Sequence, residues 1–118
     1  MASEKFSVNG VTIDVEIADS FLSRLRGLMF RRRLPEGRGL LLAPCDGVHM
    51  MFMRFAIDVV YLDADLRIKK IVRRLPPWTG LSFCRKAWGA LELVSGEADR
   101  LKLIVGQKFQ RATSSWIG

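Results

Sequence analysis

Residues 45–63, CDGVHMMFMRFAIDVVYLD, bring together several side chains that could do chemistry. They include one of the two cysteines, Cys45, the only histidine, His49, and two charges, Arg54 and Asp58, within an otherwise apolar run. Thiolate, imidazole and thioether groups bind soft metal ions. A charge inside an apolar strand must be paired by a neighbour or a ligand, because burying it alone is costly. The segment therefore raises two possibilities, a metal site and a polar binding site.

The spacing of the soft ligands does not favour a metal site. The chain has no Cys-x-x-Cys pair and no second histidine, and Cys84 is far from Cys45 in sequence. Methionines follow His49 at positions 50, 51 and 53, but methionine on a strand usually fills a core. We therefore predict no metal and no other cofactor, and we expect both cysteines to be thiols in a reducing compartment.

The polar site depends on how residues 48–62 fold. As one extended strand they have two apolar faces, which is typical of a central strand, with Arg54 and Asp58 on one face about 13 Å apart. In one interpretation both are structural: Arg54 bonds backbone carbonyls or Glu92, and Asp58 caps a loop. In the other, a pocket for a small polar or anionic ligand is formed by Arg54, Asp58, Glu92 and His49. The sequence contains no triad, phosphate loop or metal motif, so an enzyme is not favoured.

The elements that must position these residues are mostly strands. Residues 5–18 alternate in polarity around Asn9-Gly10, the strongest short hairpin signal. An amphipathic helix is predicted next, with Ser20 as its N-cap and an apolar stripe formed by Phe21, Leu22, Leu25, Leu28 and Met29. The segment GRGLLLAP then predicts a short strand that Pro44 ends.

The second half of the chain continues this pattern. LRIKKIVRRL predicts a strand with Ile68 and Val72 inward and its basic residues outward. WGALELV and LKLIVGQKF predict two more strands, joined by SGEADR, which suits one helical turn. Six or seven short strands and one early helix predict a mainly β fold, a small barrel or sandwich, in a single domain over residues 1–118.

Three segments resemble the bacterial and archaeal family named domain of unknown function 192: SRLRGLMFRRRLPEGRGLLL, MRFAIDVVYLD and LELVSGEADRLKLIVGQKF. They occur in the family's order within about residues 8–110, and we expect the remaining tail, 111–118, to be flexible. The resemblance implies a compact, jelly-roll-like β fold with one early helix. It implies no activity, because none is assigned to the family. Gln107 stands where an aspartate often follows Gly106, so any role of that aspartate would be absent here.

The net charge of +7 is concentrated in basic clusters that could contact phosphates. They comprise Arg31, Arg32 and Arg33 at the end of the predicted helix and Arg67, Lys69 and Arg73 on a predicted strand. Electrostatic binding of nucleic acid is therefore the alternative function. Proteins that bind single strands also stack bases on exposed rings, yet residues 67–74 contain no aromatic residue and residues 24–38 only Phe30. We favour a small non-enzymatic binding module.

No apolar run reaches the roughly 18 to 20 residues that a spanning helix requires. The opening MASEKFSVNG also lacks a basic region followed by an apolar one. We therefore expect a cytoplasmic protein without a membrane span. The sequence gives no indication of its oligomeric state.

Overall fold

A computed structural model describes residues 2–18, 20, 28–29 and 31–111 of the chain. The strands in this part of the chain are β1 (Ala2–Val8), β2 (Val11–Ala18), β3 (Arg38–Leu42), β4 (Gly47–His49), β5 (Ile57–Leu62), β6 (Ile68–Leu75), β7 (Leu81–Phe83), β8 (Gly89–Val94) and β9 (Gln110–Arg111). One short helix, α1 (Glu97–Arg100), precedes β9. The predicted early helix falls largely on residues 21–27 and 30, and the predicted tail on residues 112–118, all of which lie outside the described residues.

Seven strands form one sheet in the order β6-β5-β8-β3-β2-β1-β9, which curls into a half-barrel. β4 and β7 form a separate two-stranded ribbon. The mainly β fold class predicted from the sequence is confirmed. The predicted hairpin is also confirmed, since β1 and β2 pair around Asn9 and Gly10, which have φ angles of 52° and 78°. Positive φ at both central residues is what a tight hairpin turn requires.

The sheet has a hydrophobic core on each face, and β5 and β8 contribute to both. Every residue of β5 is buried. Val60 and Leu62 pack with Phe6 and Phe109 in one cluster. Ile57, Val59 and Tyr61 pack in the other cluster, which includes Met50 and Leu28. Because both faces are covered, a polar side chain on either strand is enclosed whichever way it points.

The single central strand predicted over residues 48–62 is wrong. The chain makes β4, leaves extended geometry at residues 50–56, and begins β5 at Ile57. The carbonyl of Met50 accepts hydrogen bonds from the N–H groups of Met53, at 3.1 Å, and Trp78, at 2.8 Å. Phe52 between them has φ 65°. The apolar pattern could not reveal this break, because the turn buries Met50 and Met53 just as a strand would.

The strand predicted for LKLIVGQKF is also wrong, although Leu101, Leu103 and Phe109 are buried as an inward-facing set would be. The chain turns instead: Leu103 N–H donates to Ala98 O at 2.9 Å and Gly106 N–H to Ile68 O at 2.8 Å. These side chains fill the core of the first face without pairing along a strand. The helical turn predicted in SGEADR is confirmed as α1. No helix within residues 2–18, 20, 28–29 and 31–111 is long and apolar enough to cross a membrane.

Candidate functional site

Asp58 lies on β5 and is 1% exposed. Its Oδ1 accepts a hydrogen bond from Arg74 N–H at 2.9 Å, and its Oδ2 accepts from Gly96 N–H at 3.1 Å and Ala98 N–H at 2.8 Å. Gly96 is the N-cap residue of α1 and has no side chain, so Asp58 on a distant strand accepts the N–H bonds at the start of this helix. The carboxylate thereby joins β5, the end of β6 and α1.

Glu92 lies on β8. It pairs with Val59 of β5, whereas Asp58 pairs with the next residue of β8, Leu93, so Glu92 faces the opposite side of the sheet from Asp58. Its neighbours across the two adjacent strands are Leu40 on β3 and Val59 on β5. The side chain is buried, and Oε1 is the buried side-chain oxygen that finds no hydrogen-bond partner among the residues the structure describes. Burial raises the pKa of Glu92 to about 8, and the nearby Arg31 guanidinium offsets only part of that rise.

Arg31 acts on this carboxyl through its charge, without a hydrogen bond to Oε1, and is held by a second acidic residue, Glu16. Its guanidinium donates to Glu16 Oε2 at 2.9 Å and, through the other amino group, to Oε1 at 3.4 Å. This hydrogen bond lowers the pKa of Glu16. Glu16 is opposite Leu40, and Leu40 is opposite Glu92, so the two acidic residues share one row of the sheet about 10 Å apart. Near neutral pH this row therefore contains an ionised Glu16, which pairs with Arg31, and a mainly neutral Glu92.

The same face holds a buried hydroxyl pair. Tyr61 Oη and Ser82 Oγ are 2.5 Å apart, which ties β5 to β7 of the two-stranded ribbon. Burial raises the pKa of Tyr61 to about 12, and the bond to Ser82 acts in the opposite direction. Tyr61 is therefore a neutral phenol whose hydroxyl is already engaged.

The soft side chains of residues 45–53 and Cys84 are spread over different environments. The Cys45 thiol donates to Gly47 O at 3.0 Å, and neither Cys45 nor Cys84 forms a disulfide. His49 is exposed, Met51 is 52% exposed, and Met50 and Met53 are buried. No group of three or more histidine, cysteine or acidic side chains within the described ranges is arranged to hold a metal ion.

Two of the four predicted ligand-binding residues are buried and two are exposed, and the structure does not bring them together. Asp58 and Glu92 are buried on opposite faces of the sheet. His49 is exposed on β4, opposite Leu81, and Arg54 is exposed in the bend that precedes β5. No single pocket contains all four. Arg31 is the residue that sequence reasoning did not connect with Glu92, because its placement depends on the ion pair with Glu16.

The predicted basic patch is largely engaged within the protein. Arg67 donates to Gly106 O at 2.7 Å, Lys69 to Lys86 O at 3.3 Å, and Arg73 pairs with Asp99 at 2.9 Å. Arg31 is paired with Glu16 as described above, whereas Arg32 and Arg33 are exposed. Each internal partner reduces what the corresponding cation can offer to a phosphate.

Fold and site together define a small, mainly β protein with an enclosed acidic residue and no recognisable catalytic constellation among the described residues. The model of the DUF192 family, described as uncharacterized ACR, matches residues 4–111, and the chain belongs to this family. The resemblance noted in the sequence is therefore confirmed.

The chain is similar to archaeal proteins of the uncharacterised UPF0127 group. It is 31% identical over 105 residues to a UPF0127 protein of Pyrococcus furiosus, a match that covers 85% of this chain and 88% of that protein. It is 36% identical over 70 residues to a UPF0127 protein of Pyrococcus horikoshii, with 55% and 58% covered. Neither name states a function.

Two solved structures have a similar fold. A protein of unknown function from Novosphingobium aromaticivorans superposes with a TM-score of 0.81 at 21% identity, over 92% of this chain and 84% of that one. A protein from Sinorhizobium meliloti, described as a proposed transcription regulator, superposes with a TM-score of 0.84 at 24% identity, over 93% and 94%. At these identities the similarity shows the fold alone.

Proposed function

We propose that the protein is a small non-enzymatic binding module that holds a small polar ligand at Glu92. The observation that carries this proposal is Glu92 Oε1, a buried carboxyl oxygen without a hydrogen-bond partner among the described residues. Leaving such an atom unpaired costs about 1–3 kcal/mol of folding stability. A ligand that donates a hydrogen bond to Oε1 recovers this free energy. An unpaired oxygen that destabilises the free protein can therefore contribute to ligand binding.

The raised pKa of Glu92 favours an uncharged ligand group. Near neutral pH a carboxyl group with a pKa of about 8 is mainly protonated, so it can donate one hydrogen bond and accept another. A carboxamide matches this arrangement, because its N–H donates and its C=O accepts. The Arg31 guanidinium attracts negative charge to the same region, so a carboxylate is the competing ligand type.

The neighbours of Glu92 support binding rather than catalysis. Leu40 and Val59, which lie opposite it on the two adjacent strands, are aliphatic and cannot transfer protons. Tyr61 on the same face is a weak acid with its hydroxyl bonded to Ser82. A proton-transfer reaction normally uses a second titratable group within hydrogen-bond reach of the first.

Asp58 has a supporting role in this proposal. Its two oxygens already accept three backbone hydrogen bonds, so a ligand that took one of these places would break a bond within the protein. We therefore place the ligand on the Glu92 face of the sheet. The participation of Arg54 and His49 in ligand binding remains a prediction.

The proposal can be tested with acetamide as a probe, by ligand-observed NMR and by the melting temperature of the protein. A ligand of four non-hydrogen atoms gains at most about 6 kcal/mol, so titrations must extend into the millimolar range. We expect saturable binding and a rise in melting temperature. N,N-dimethylacetamide, which lacks an N–H donor, should have no effect, and acetate tests the competing ligand type.

Two variants separate a ligand site from a structural residue. Glu92→Leu should abolish acetamide binding and increase stability, because it removes an unpaired buried polar group while keeping the apolar contacts. Glu97→Gln is the matched control: Glu97 is also buried, but its oxygens are bonded to Arg100 and to Gly37 N–H. This variant should bind acetamide normally. Destabilisation by Glu92→Leu, together with no acetamide binding to the unaltered protein, would overturn the proposal.

A further inference from the structure

A group of large apolar side chains is exposed around the β4–β7 ribbon. Their exposed fractions range from 38% to 61%, although side chains of these types usually lie in a core. We call this group the ribbon surface; it comprises Met51, Phe52, Trp78, Leu81 and Phe83.

Backbone pairing makes the ribbon surface continuous. β4 and β7 pair with His49 opposite Leu81 and Gly47 opposite Phe83, and the Phe83 ring covers the space where Gly47 lacks a side chain. At the end of the ribbon, Met50 N–H donates to Gly80 O at 3.0 Å. The loops of residues 50–53 and 76–80 are therefore adjacent, and they carry Met51, Phe52 and Trp78.

Two aromatic residues of this surface are held in unfavourable backbone geometry. Phe52 has φ 65° and Trp78 has φ 67°, and their rings meet edge to face with centroids 5.3 Å apart. A left-handed backbone costs a residue other than glycine roughly 1–2 kcal/mol. Such strain persists where the surrounding bonds impose it, and it is concentrated at binding sites. The hydrogen bonds accepted by Met50 O impose it here.

The ribbon surface is bordered by cations. Lys70 Nζ donates to Phe83 O at 2.8 Å, Arg54 follows Phe52 by two residues, and Arg85 and Lys86 follow Phe83 by two and three residues. All four cations are exposed, and the whole chain has a net charge of +7. A second copy of the chain would bring the same cations face to face, so the charge favours an anionic partner.

We propose that the ribbon surface binds the surface of an anionic lipid membrane, with its apolar side chains in the interface and the bordering cations on the headgroups. Apolar side chains ringed by lysine and arginine are the pattern of peripheral membrane binding. Met51 and Leu81 have no ring on which a base could stack, and the edge-to-face contact of Phe52 with Trp78 covers part of their rings. Lipid accommodates all five side chains, whereas single-stranded nucleic acid uses only the rings.

Co-sedimentation of the full chain with vesicles tests this proposal. We expect binding to vesicles of phosphatidylglycerol and phosphatidylcholine in equal parts, and much weaker binding to phosphatidylcholine alone. Leu81→Ser and Phe83→Ser should each lower the partition coefficient about tenfold, because each removes a side chain that becomes buried in the interface. Arg54→Gln and Arg85→Gln should each lower it about fivefold on the anionic vesicles.

Ile104 and Val105 provide the matched control, because they are 65% and 60% exposed on a loop outside the ribbon. Ile104→Ser and Val105→Ser should leave vesicle binding unchanged. An equal loss in these variants, equal binding to both vesicle types, or binding to neither would overturn the proposal. The proposal would also be overturned if the protein were a dimer that Leu81→Ser dissociates. It would likewise be overturned if the protein bound no vesicles but bound a single-stranded oligonucleotide in an anisotropy assay, and Phe83→Ser abolished that binding. Unchanged melting temperatures of the ribbon variants would show that they fold.

Discussion

Replacing Asp58 by alanine should destabilise the protein far more than replacing any exposed acidic residue. The change leaves three backbone N–H groups, of Arg74, Gly96 and Ala98, without their acceptor. A buried donor without a partner costs about 1–3 kcal/mol. The bond from Ala98 is fully buried and the other two are partly buried, so the expected loss is about 3–6 kcal/mol. A loss of this size is a large part of the stability of a typical domain.

Urea unfolding followed by circular dichroism measures this loss, and Asp63→Ala is the matched control. Asp63 also accepts two backbone hydrogen bonds, from Asp65 at 2.9 Å and Arg67 at 3.0 Å, but in an exposed turn. Water can replace it there, so we expect a loss of about 1 kcal/mol or less. Hydrogen exchange should also accelerate at Gly96 and Ala98 in the Asp58 variant. Equal losses in the two variants would refute the argument that Asp58 organises α1.

Other predictions concern the second face of the sheet and the basic cluster. The pKa of a glutamate in an unfolded chain is about 4.3, whereas that of Glu92 in the folded protein is about 8. Stability should therefore fall as pH rises between these values, by as much as about 5 kcal/mol, and Glu92→Gln should flatten this dependence in unfolding measurements made from pH 5 to 8. Tyr61→Phe should cost about 1–3 kcal/mol because it leaves Ser82 unpaired, whereas adding Ser82→Ala should recover most of the loss in a double-mutant cycle. Elemental analysis should find no stoichiometric copper or zinc. In a salt titration followed by fluorescence anisotropy, oligonucleotide binding at about 150 mM salt should be no tighter than micromolar, and alanine at positions 31, 32 and 33 should change it little.

Local sequence signals predicted the elements that depend on local geometry. Asn9-Gly10 predicted the first hairpin because few residue pairs accept positive φ at both central positions. SGEADR predicted one helical turn, which the structure shows as α1 directly after Gly96, a residue with φ 98°. The mainly β class followed from alternating apolar residues, which the two cores of the sheet explain.

Elements that depend on distant contacts could not be predicted in the same way. Residues 50–56 have the composition of a strand, and only the bonds from Trp78 and Met53 to Met50 O show why they turn. LKLIVGQKF alternates like a strand because Leu101 and Leu103 fill a core without a partner strand. Alternation of apolar and polar residues shows which residues are buried, but not whether they belong to one strand. Buried residues on either side of a turn give the same sequence pattern as buried residues along a continuous strand.

The candidate site was predictable only as a set of residue types. Glu92 was recognisable as a charge within an apolar strand, and Asp58 for the same reason, but the partners that distinguish them come from elsewhere in the chain. Three backbone donors from β6 and the start of α1 satisfy Asp58. Glu92 has Leu40 and Val59 as its cross-strand neighbours, and neither can donate a hydrogen bond from its side chain.

The central claim, that Glu92 Oε1 is unpaired and available to a ligand, is tested most directly by carbon-13 NMR of protein labelled at the glutamate side-chain carboxyl carbon. Assignment by Glu92→Gln identifies the resonance. We predict a titration midpoint near pH 8 in the free protein. Acetamide should raise this midpoint, because it binds the protonated carboxyl group. A midpoint in the ordinary glutamate range, near about 4.3, or a midpoint near 8 that saturating acetamide does not move, would contradict the account.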